Sequence, residues 1–519
     1  MEPACIRHTD LPGTSRLFAD FSYHFDRVAR FFRHDPHSAT SFAAAASEIV
    51  YPDSRRAALV AALASQNGPS ELLDRLAQPG TVAVVTGQQV GLFCGPAYTI
   101  YKALTAVRLA RDLTARGIPA VPIFWLATED HDFTEVSHVY TFGASRQPVR
   151  LEIAVPAGAA GRPRPVGGLR VENPPLEALR RSLASFPHGD QAAALVEESY
   201  TPGATMAQAF RTLLRQLLPG MDLLTLDPLD PAIRAIVAPF LQTALAAAPE
   251  LKARLLERTS ELTSAGYHAQ VLVDPKTSLF FSLENGERVP LRRKDSELAE
   301  LRGRAADVSP NALLRPVMQD YLLPTAAFIG GPAEVAYLGQ SQVIYDRLLG
   351  RTPVVLARGS FTLLEARTAK LLSRYKLSLP ETLVNEEALK ERLAAALVPP
   401  EIEHSFVDAA GELDSRLNRL GEDLERFDHT LAAAFFKSRS KMTYQLEKMR
   451  RKTAREILRR DARAASDTQY LSGLLFPHKH LQERFYSILP FLAEHGPDLV
   501  NRLLDGVMLG CPDHRVLTL

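Results

Sequence analysis

The stretch from Thr81 to Asp132 constrains the fold more than any other part of the chain. TVAVVT is a short, β-branched apolar run that breaks into GQQVGLFCG, after which Pro96 opens AYTIYKALTAVRLARDL, a helical pattern with Ile100, Leu104, Val107 and Leu109 apolar. Gly117 closes that helix, and VPIFWLA, Val121 to Ala127, reads as the next buried strand, ending in Glu129, Asp130, His131 and Asp132. Strand, glycine loop, helix and strand assemble naturally as a parallel βαβ unit. Similar runs recur at LLTLD (223–227), TAAFI (325–329) and PVVLA (353–357), so the expected fold is α/β, with a five-stranded sheet drawn from distant segments. Between them, Val155 to Pro175 is rich in Pro and Gly, and QVLVD with LFFSL around Asp274-Pro275 predicts the hairpin of an inserted subdomain.

At about 150 residues per domain, 519 residues predict about three structural units. Sixty basic against 59 acidic residues leave a formal charge of +1, without the surplus that non-specific nucleic-acid binding requires, so any anionic ligand must be held by local charges. Cys5, Cys94 and Cys511 lie far apart and are odd in number, which fits a reducing cytoplasm. No export signal is read in MEPACIRHTDLPG, and no membrane span in Ala235 to Ala248, which holds Pro239, Gln242 and Thr243.

The C-terminal third changes character. Leu413, Leu417, Leu420, Leu424, Phe427 and Leu431 follow spacings of four and three, the seam of a coiled coil, and Met442, Leu446, Met449 and Thr453 continue it. With Asp428 and Thr430 as caps of a second helix, this predicts a long antiparallel hairpin that packs on itself or on a second subunit. Its basic face, Arg450 to Arg460, reads as solvated beside acidic neighbours rather than as an RNA surface.

Ligands of open α/β sheets sit beyond the carboxyl ends of strands, where Gly87, Gly91 and Gly95 fall. Their spacing matches neither a dinucleotide fingerprint nor a Walker loop. Gln88 and Gln89 add amides, and Lys102, two turns into the helix, either turns back toward a phosphate or carboxylate or simply faces solvent. Glu129, Asp130, His131 and Asp132 are close enough to tune one another for acid–base work, or else they cap the following helix. A metal would need a helix that puts His131, Glu135 and His138 on one face; none is expected in the fold. Gly330-Gly331-Pro332 with Glu334 is a second helix start that accepts an anion, unless Glu334 merely complements the dipole; Tyr337 and Gln340 follow at one and two turns. Cys94 reads as a small buried residue before it reads as a nucleophile.

The strings VTGQQVGLFCGPAYTIYKALTAVRLA, VPIFWLATEDHDFTEV, LLPTAAFIGGPAEVAYLGQ and LFPHKHLQERFYSILPFL resemble the bacillithiol-biosynthesis cysteine ligase family, BshC, over about Leu11 to Phe491. The resemblance implies a Rossmann-like core over 1–150 and 316–380, a core strand with inserted connecting segments over 151–315, a coiled coil over 381–470 that forms a homodimer, and a return to the core over 471–519. It also implies ligation of the L-cysteine carboxyl to the amine of glucosaminyl-malate, with ATP as the reasonable activator, and neither nucleic acid nor membrane as a partner. Mapped by motif, one ligand-binding wall is Gly87, Gln88, Gln89, Gly91, Gly95, Tyr98 and Lys102. The facing wall is Trp125, Glu129, Asp130, His131 and Asp132, then Gly330, Gly331, Glu334, Tyr337 and Gln340, with His131 or Asp130 as the base. In this reading Lys102 and the two helix starts hold anions, and the acidic cluster holds amines. A nucleotide- or NAD-binding enzyme of another class on the same core, with Glu129 or Asp130 on a ribose, and a coiled-coil scaffold without catalysis are the alternatives.

Overall fold

The computed structural model describes residues 4–155, 163–291 and 301–519, and the chain divides into two compact units. The first comprises Met1–Ala144, Pro148–Leu363 and Glu483–Leu517; the second comprises Ser145–Gln147, Leu364–Gln482 and Thr518–Leu519.

In the first unit a five-stranded, all-parallel sheet is built from β1 (Val82–Gln88), β2 (Ala120–Leu126), β3 (Leu224–Leu226), β4 (Thr325–Gly330) and β5 (Val354–Ala357), ordered β5-β4-β1-β2-β3. All five expected runs are strands. Side chains alternate across the sheet, so Val82, Val84 and Val354 enter one apolar layer with Leu109 and Leu113 of α1 (Tyr98–Ala115), while Ala83, Val85 and Val355 enter the opposite one. That second layer is closed by α2 (Pro231–Ala246), α3 (Ala248–Ser264) and α4 (Pro332–Leu348). Both faces are covered, which is why these strands read as continuous apolar runs. The path leaves β1 toward β2 and β3 on one side and returns to β4 and β5 on the other, so the order reverses at β1/β4 and opens a crevice beyond their carboxyl ends. No single helix among the described residues is long and apolar enough to cross a membrane; α2 and α3 pass that test only as a pair bent by 73°, and both contribute to the buried core.

The expected hairpin is shifted. Phe280–Glu284, overlapping LFFSL, is a strand, but its partners are Glu287–Pro290 and Val308–Pro310, and QVLVD lies outside any strand. The reason is the Asn285-Gly286 pair, with φ of 53° and 76°, the backbone that a tight two-residue turn demands.

The second unit contains α5 (Pro400–Phe427) and α6 (His429–Arg460), packed as the expected hairpin. Asp428 caps α6 by accepting from the Thr430 and Leu431 N–H groups, so of the two expected caps only Asp428 acts as one. The seam departs from expectation in what it buries. Leu417, Gly421 and Ala432 are buried, with the Phe435 ring over Gly421, but Leu420, Phe427, Leu431, Met442 and Met449 are exposed. The seam is thus covered only in part, with Leu413, Leu424 and Leu446 half-buried beside Leu417. The basic face is laced with ion pairs: Arg450 to Glu403 and Glu447, Arg455 to Glu391, and Arg459 and Arg460 to Glu456.

Candidate functional site

Beyond the carboxyl ends of β1, β2 and β4 lies a cleft of about 520 Å³, lined by Gly87, Gln88, Gln89, Tyr98, Lys102, Trp125, Glu129, Asp130, Gly331, Glu334 and Tyr337 among others. The two motif-defined walls therefore meet, although not every expected residue reaches the cleft. Gly91, Gly95, Gly330, His131, Asp132 and Gln340 lie outside its lining. Gln340 is fully buried, its carboxamide bonded to both the N–H and the carbonyl of Val271, and Asp132 caps the short helix Phe133–Val136 through the Glu135 N–H.

Gly87 is required by close approach: a Cβ there would stand 2.7 Å from the Trp125 carbonyl oxygen across the β1–β2 ladder. The loop after β1 is strained, with Phe93, Cys94 and Gly95 all at positive φ, and Phe93 is held by its N–H to the Tyr200 hydroxyl at 2.7 Å. Cys94 is fully buried, which pushes its thiol up, and it points at the Phe210 carbonyl; this is the buried role, not a nucleophile. The loop offers little to a phosphate. The N–H groups of Gly91, Gly95 and Ala97 donate to Gln89, Leu92 and Tyr486 carbonyls at 2.9, 2.9 and 2.7 Å.

Lys102 is the largest departure. It neither faces solvent nor waits for an anion: its ammonium is buried, bonded to the Gly87 carbonyl (2.8 Å) and Gln88 Oε1 (2.9 Å), and paired at 2.5 Å with Glu334. Burial pushes its pKa down and Glu334 works against that. Glu334 Oε2 also accepts from the Gly331 N–H at 2.7 Å, so the start of α4 already holds an anion, and that anion is the protein's own. Glu334 does complement the dipole, and Lys102 completes it.

The acidic cluster separates by function. Glu129 is buried in a 2.7 Å pair with Arg234, which also bonds the Ala306 and Val308 carbonyls of the inserted segment. A ribose would find Glu129 engaged. Asp130 and Glu135 both accept from Gln89 Nε2, at 2.6 and 2.8 Å, and present carboxylates on one side of the cleft. His131 Nδ1 lies 2.9 Å from Arg288 Nη1, and since a guanidinium only donates, that nitrogen is the acceptor and the ring is neutral with its proton on Nε2. Burial first, then Arg288, hold its pKa below the ordinary value. Its free lone pair is thus spent, and His131 is unsuited to act as the base in this arrangement. No helix underlies a metal triad: His138 starts a strand and Glu135 bonds Gln89.

The cleft cations that the motifs did not reveal are Arg288, Arg315, Arg358 and Arg484. Arg358 is neutralised by a bidentate pair with buried Glu483, at 2.9 and 2.7 Å. Arg288, on the strand after the Asn285-Gly286 turn, stacks on Phe281 (3.8 Å) and donates to Ser309 and the Pro310 carbonyl. Arg315 donates to the Tyr337 hydroxyl (3.0 Å) and Gln319 (2.9 Å), 6.0 Å from the Trp125 ring centre. Among the described residues neither makes an ion pair. The Asn-Gly turn was the one available signal for Arg288; the arginine-first helix Arg315–Leu322 gave none.

Comparison with known proteins agrees with this architecture. Residues 1–359 match the N-terminal Rossmann-like domain of bacillithiol biosynthesis BshC, and residues 361–519 match the C-terminal coiled-coil domain of BshC. A Solibacter usitatus protein named "Putative cysteine ligase BshC" is 52% identical over the full length of both chains, and a Koribacter versatilis protein of the same name is 38% identical, again over the full length of both. One from Salinibacter ruber is 30% identical over 96% of each chain. With a Rossmann-like parallel sheet, a helical coiled-coil unit and relatives matched from end to end, this chain belongs to the BshC family of bacillithiol biosynthesis.

Proposed function

We propose that the chain is a carbon–nitrogen ligase joining the carboxyl of L-cysteine to the amine of glucosaminyl-malate, the step that gives bacillithiol. The observation carrying this reading is that the cleft lining holds charges of both signs: Arg288 and Arg315 make no ion pair among the described residues, and Asp130 and Glu135 line the same cleft. Malate carboxylates suit the guanidiniums, and amines suit the carboxylates. Asp130 replaces His131 as the proposed base, taking the proton that the amine loses as it attacks the cysteine carbonyl.

An amide does not form from a carboxylate and an amine in water unless the carboxylate oxygen is made a leaving group, and ATP is the proposed activator. The cleft volume lies in the range of small-molecule sites. With the N–H groups of Gly91, Phe93, Gly95 and Ala97 internally satisfied, Arg288, Arg315 and Arg484 are the cleft groups that would face phosphate oxygens. The exposed apolar residues of α5 and α6 support a homodimer through this hairpin, with a symmetric partner covering what water now touches. The test is purified protein with glucosaminyl-malate, cysteine and ATP, followed by mass analysis. Bacillithiol formed only when all three are present is the expected result; its absence with a folded protein overturns the reading.

A further inference from the structure

Cys5 and Cys511, separated by almost the whole sequence, are brought together by the fold. Cys5 lies in the strand Ala4–Ile6, which pairs antiparallel with His514–Thr518 so that Cys5 stands opposite Arg515. Cys511 sits in the turn that feeds the second strand, its N–H bonded to the Met508 carbonyl. The two thiols are in side-chain hydrogen-bonding contact. Both backbones are anchored. Asp513 accepts from the Tyr23 hydroxyl at 2.7 Å, that hydroxyl accepts from the His8 N–H at 2.7 Å, and the His514 ring is bonded to Ser360 (2.6 Å) and Thr362 (2.8 Å). Cys5 is exposed and Cys511 half-buried, whereas Cys94 is sealed in the core, and all three are thiols. Around Cys5 the charged groups are Arg515, which favours a thiolate, and Asp513, which opposes one.

We infer that Cys5 and Cys511 are a redox-responsive pair that closes to an intramolecular disulfide when it meets a low-molecular-weight disulfide. The Cys5 thiolate attacks one sulfur of that disulfide, forming a mixed disulfide and releasing one small thiolate. The Cys511 thiolate then attacks the Cys5 sulfur; the Cys5–Cys511 bond forms and the second small thiolate leaves. Two electrons pass to the small disulfide, and the two protons lost by the protein thiols end on the released thiols. The inference does not depend on the ligase reading. Burial and the neighbouring thiol push the Cys5 pKa up, so closure accelerates as pH rises from 7 to 9.

The experiment is incubation of the native full-length protein with oxidised glutathione, acid quenching, and mass mapping of peptides without reduction. The expected result is a Cys5–Cys511 linked peptide that dithiothreitol removes, with Cys94 unmodified. In Cys511→Ser the linked peptide is replaced by a lasting glutathione adduct on Cys5. Separate glutathione adducts on Cys5 and Cys511 in the unsubstituted protein, with no linked peptide, would overturn the inference, as would a linked peptide that forms equally well after denaturation in urea.

Discussion

Lys102 on α1 and Arg315 ahead of β4 face the same cleft, yet their charges are not equally available. Lys102 is locked to Glu334 at 2.5 Å and to two oxygens of the β1 end, whereas among the described residues Arg315 makes no ion pair and hydrogen-bonds the Tyr337 hydroxyl and Gln319. Position at the end of a strand therefore does not make a cation a ligand group; what matters is whether the fold has already supplied its anion. Arg358 teaches the same from the other side, since Glu483 neutralises it while Ser360 and His514 extend the network.

The comparison breaks most visibly at Lys102. Replacing Lys102 with Ala leaves the half-buried Glu334 carboxylate with the Gly331 N–H but without its ammonium, a loss toward the lower end of the about 3–5 kcal/mol that breaking a buried pair costs. The melting temperature should fall sharply and recover largely in Lys102→Met combined with Glu334→Gln. Unchanged melting of Lys102→Ala would mean that the pair is not formed.

For Arg315→Ala the expected loss is catalytic rather than structural. Removing a charge bonded to a ligand anion costs about 2–5 kcal/mol, roughly 30-fold to several-thousand-fold in kcat/KM. Steady-state rates with glucosaminyl-malate varied at saturating cysteine and ATP measure it, and near-normal kcat/KM would remove Arg315 from the site.

The Arg358 network predicts a stability that depends on pH. Burial holds His514 down to about 4, with Glu483 opposing, whereas the unfolded chain protonates near 6.5. Between those values the unfolded state binds the extra proton, so stability falls as pH drops from about 6.5 to 4, by up to about 3 kcal/mol. Urea melts across that window should show the slope, and His514→Gln should flatten it.

The smallest effect is expected at His131. In His131→Asn the amide oxygen can still accept from Arg288, so turnover between pH 6 and 9 should change less than about tenfold, against the ~10²–10⁴-fold loss of a general base. A loss of that larger size would restore the imidazole as the base.

These contrasts show what the sequence could and could not reveal. All five sheet strands were legible because strands buried on both faces are unbroken apolar runs, and the helical hairpin because its heptad spacing is local. Compensation was not legible, because Lys102 and Glu334, Arg358 and Glu483, and Glu129 and Arg234 meet only through the fold. Nor was the approach of Cys5 to Cys511, which spacing alone had set far apart. The inserted hairpin was misplaced because apolar QVLVD outweighed the Asn285-Gly286 turn, which in fact sets the register and delivers Arg288 to the cleft.

The most direct measurement is calorimetric titration of glucosaminyl-malate into three proteins: the unsubstituted chain, Arg315→Ala, and Lys102→Met with Glu334→Gln. If availability of charge decides ligand binding, Arg315→Ala should bind at least about 30-fold more weakly, while the paired variant stays within about threefold of the parent. Parent-like binding by Arg315→Ala, with binding lost in the paired variant, would contradict it and return the anion site to Lys102.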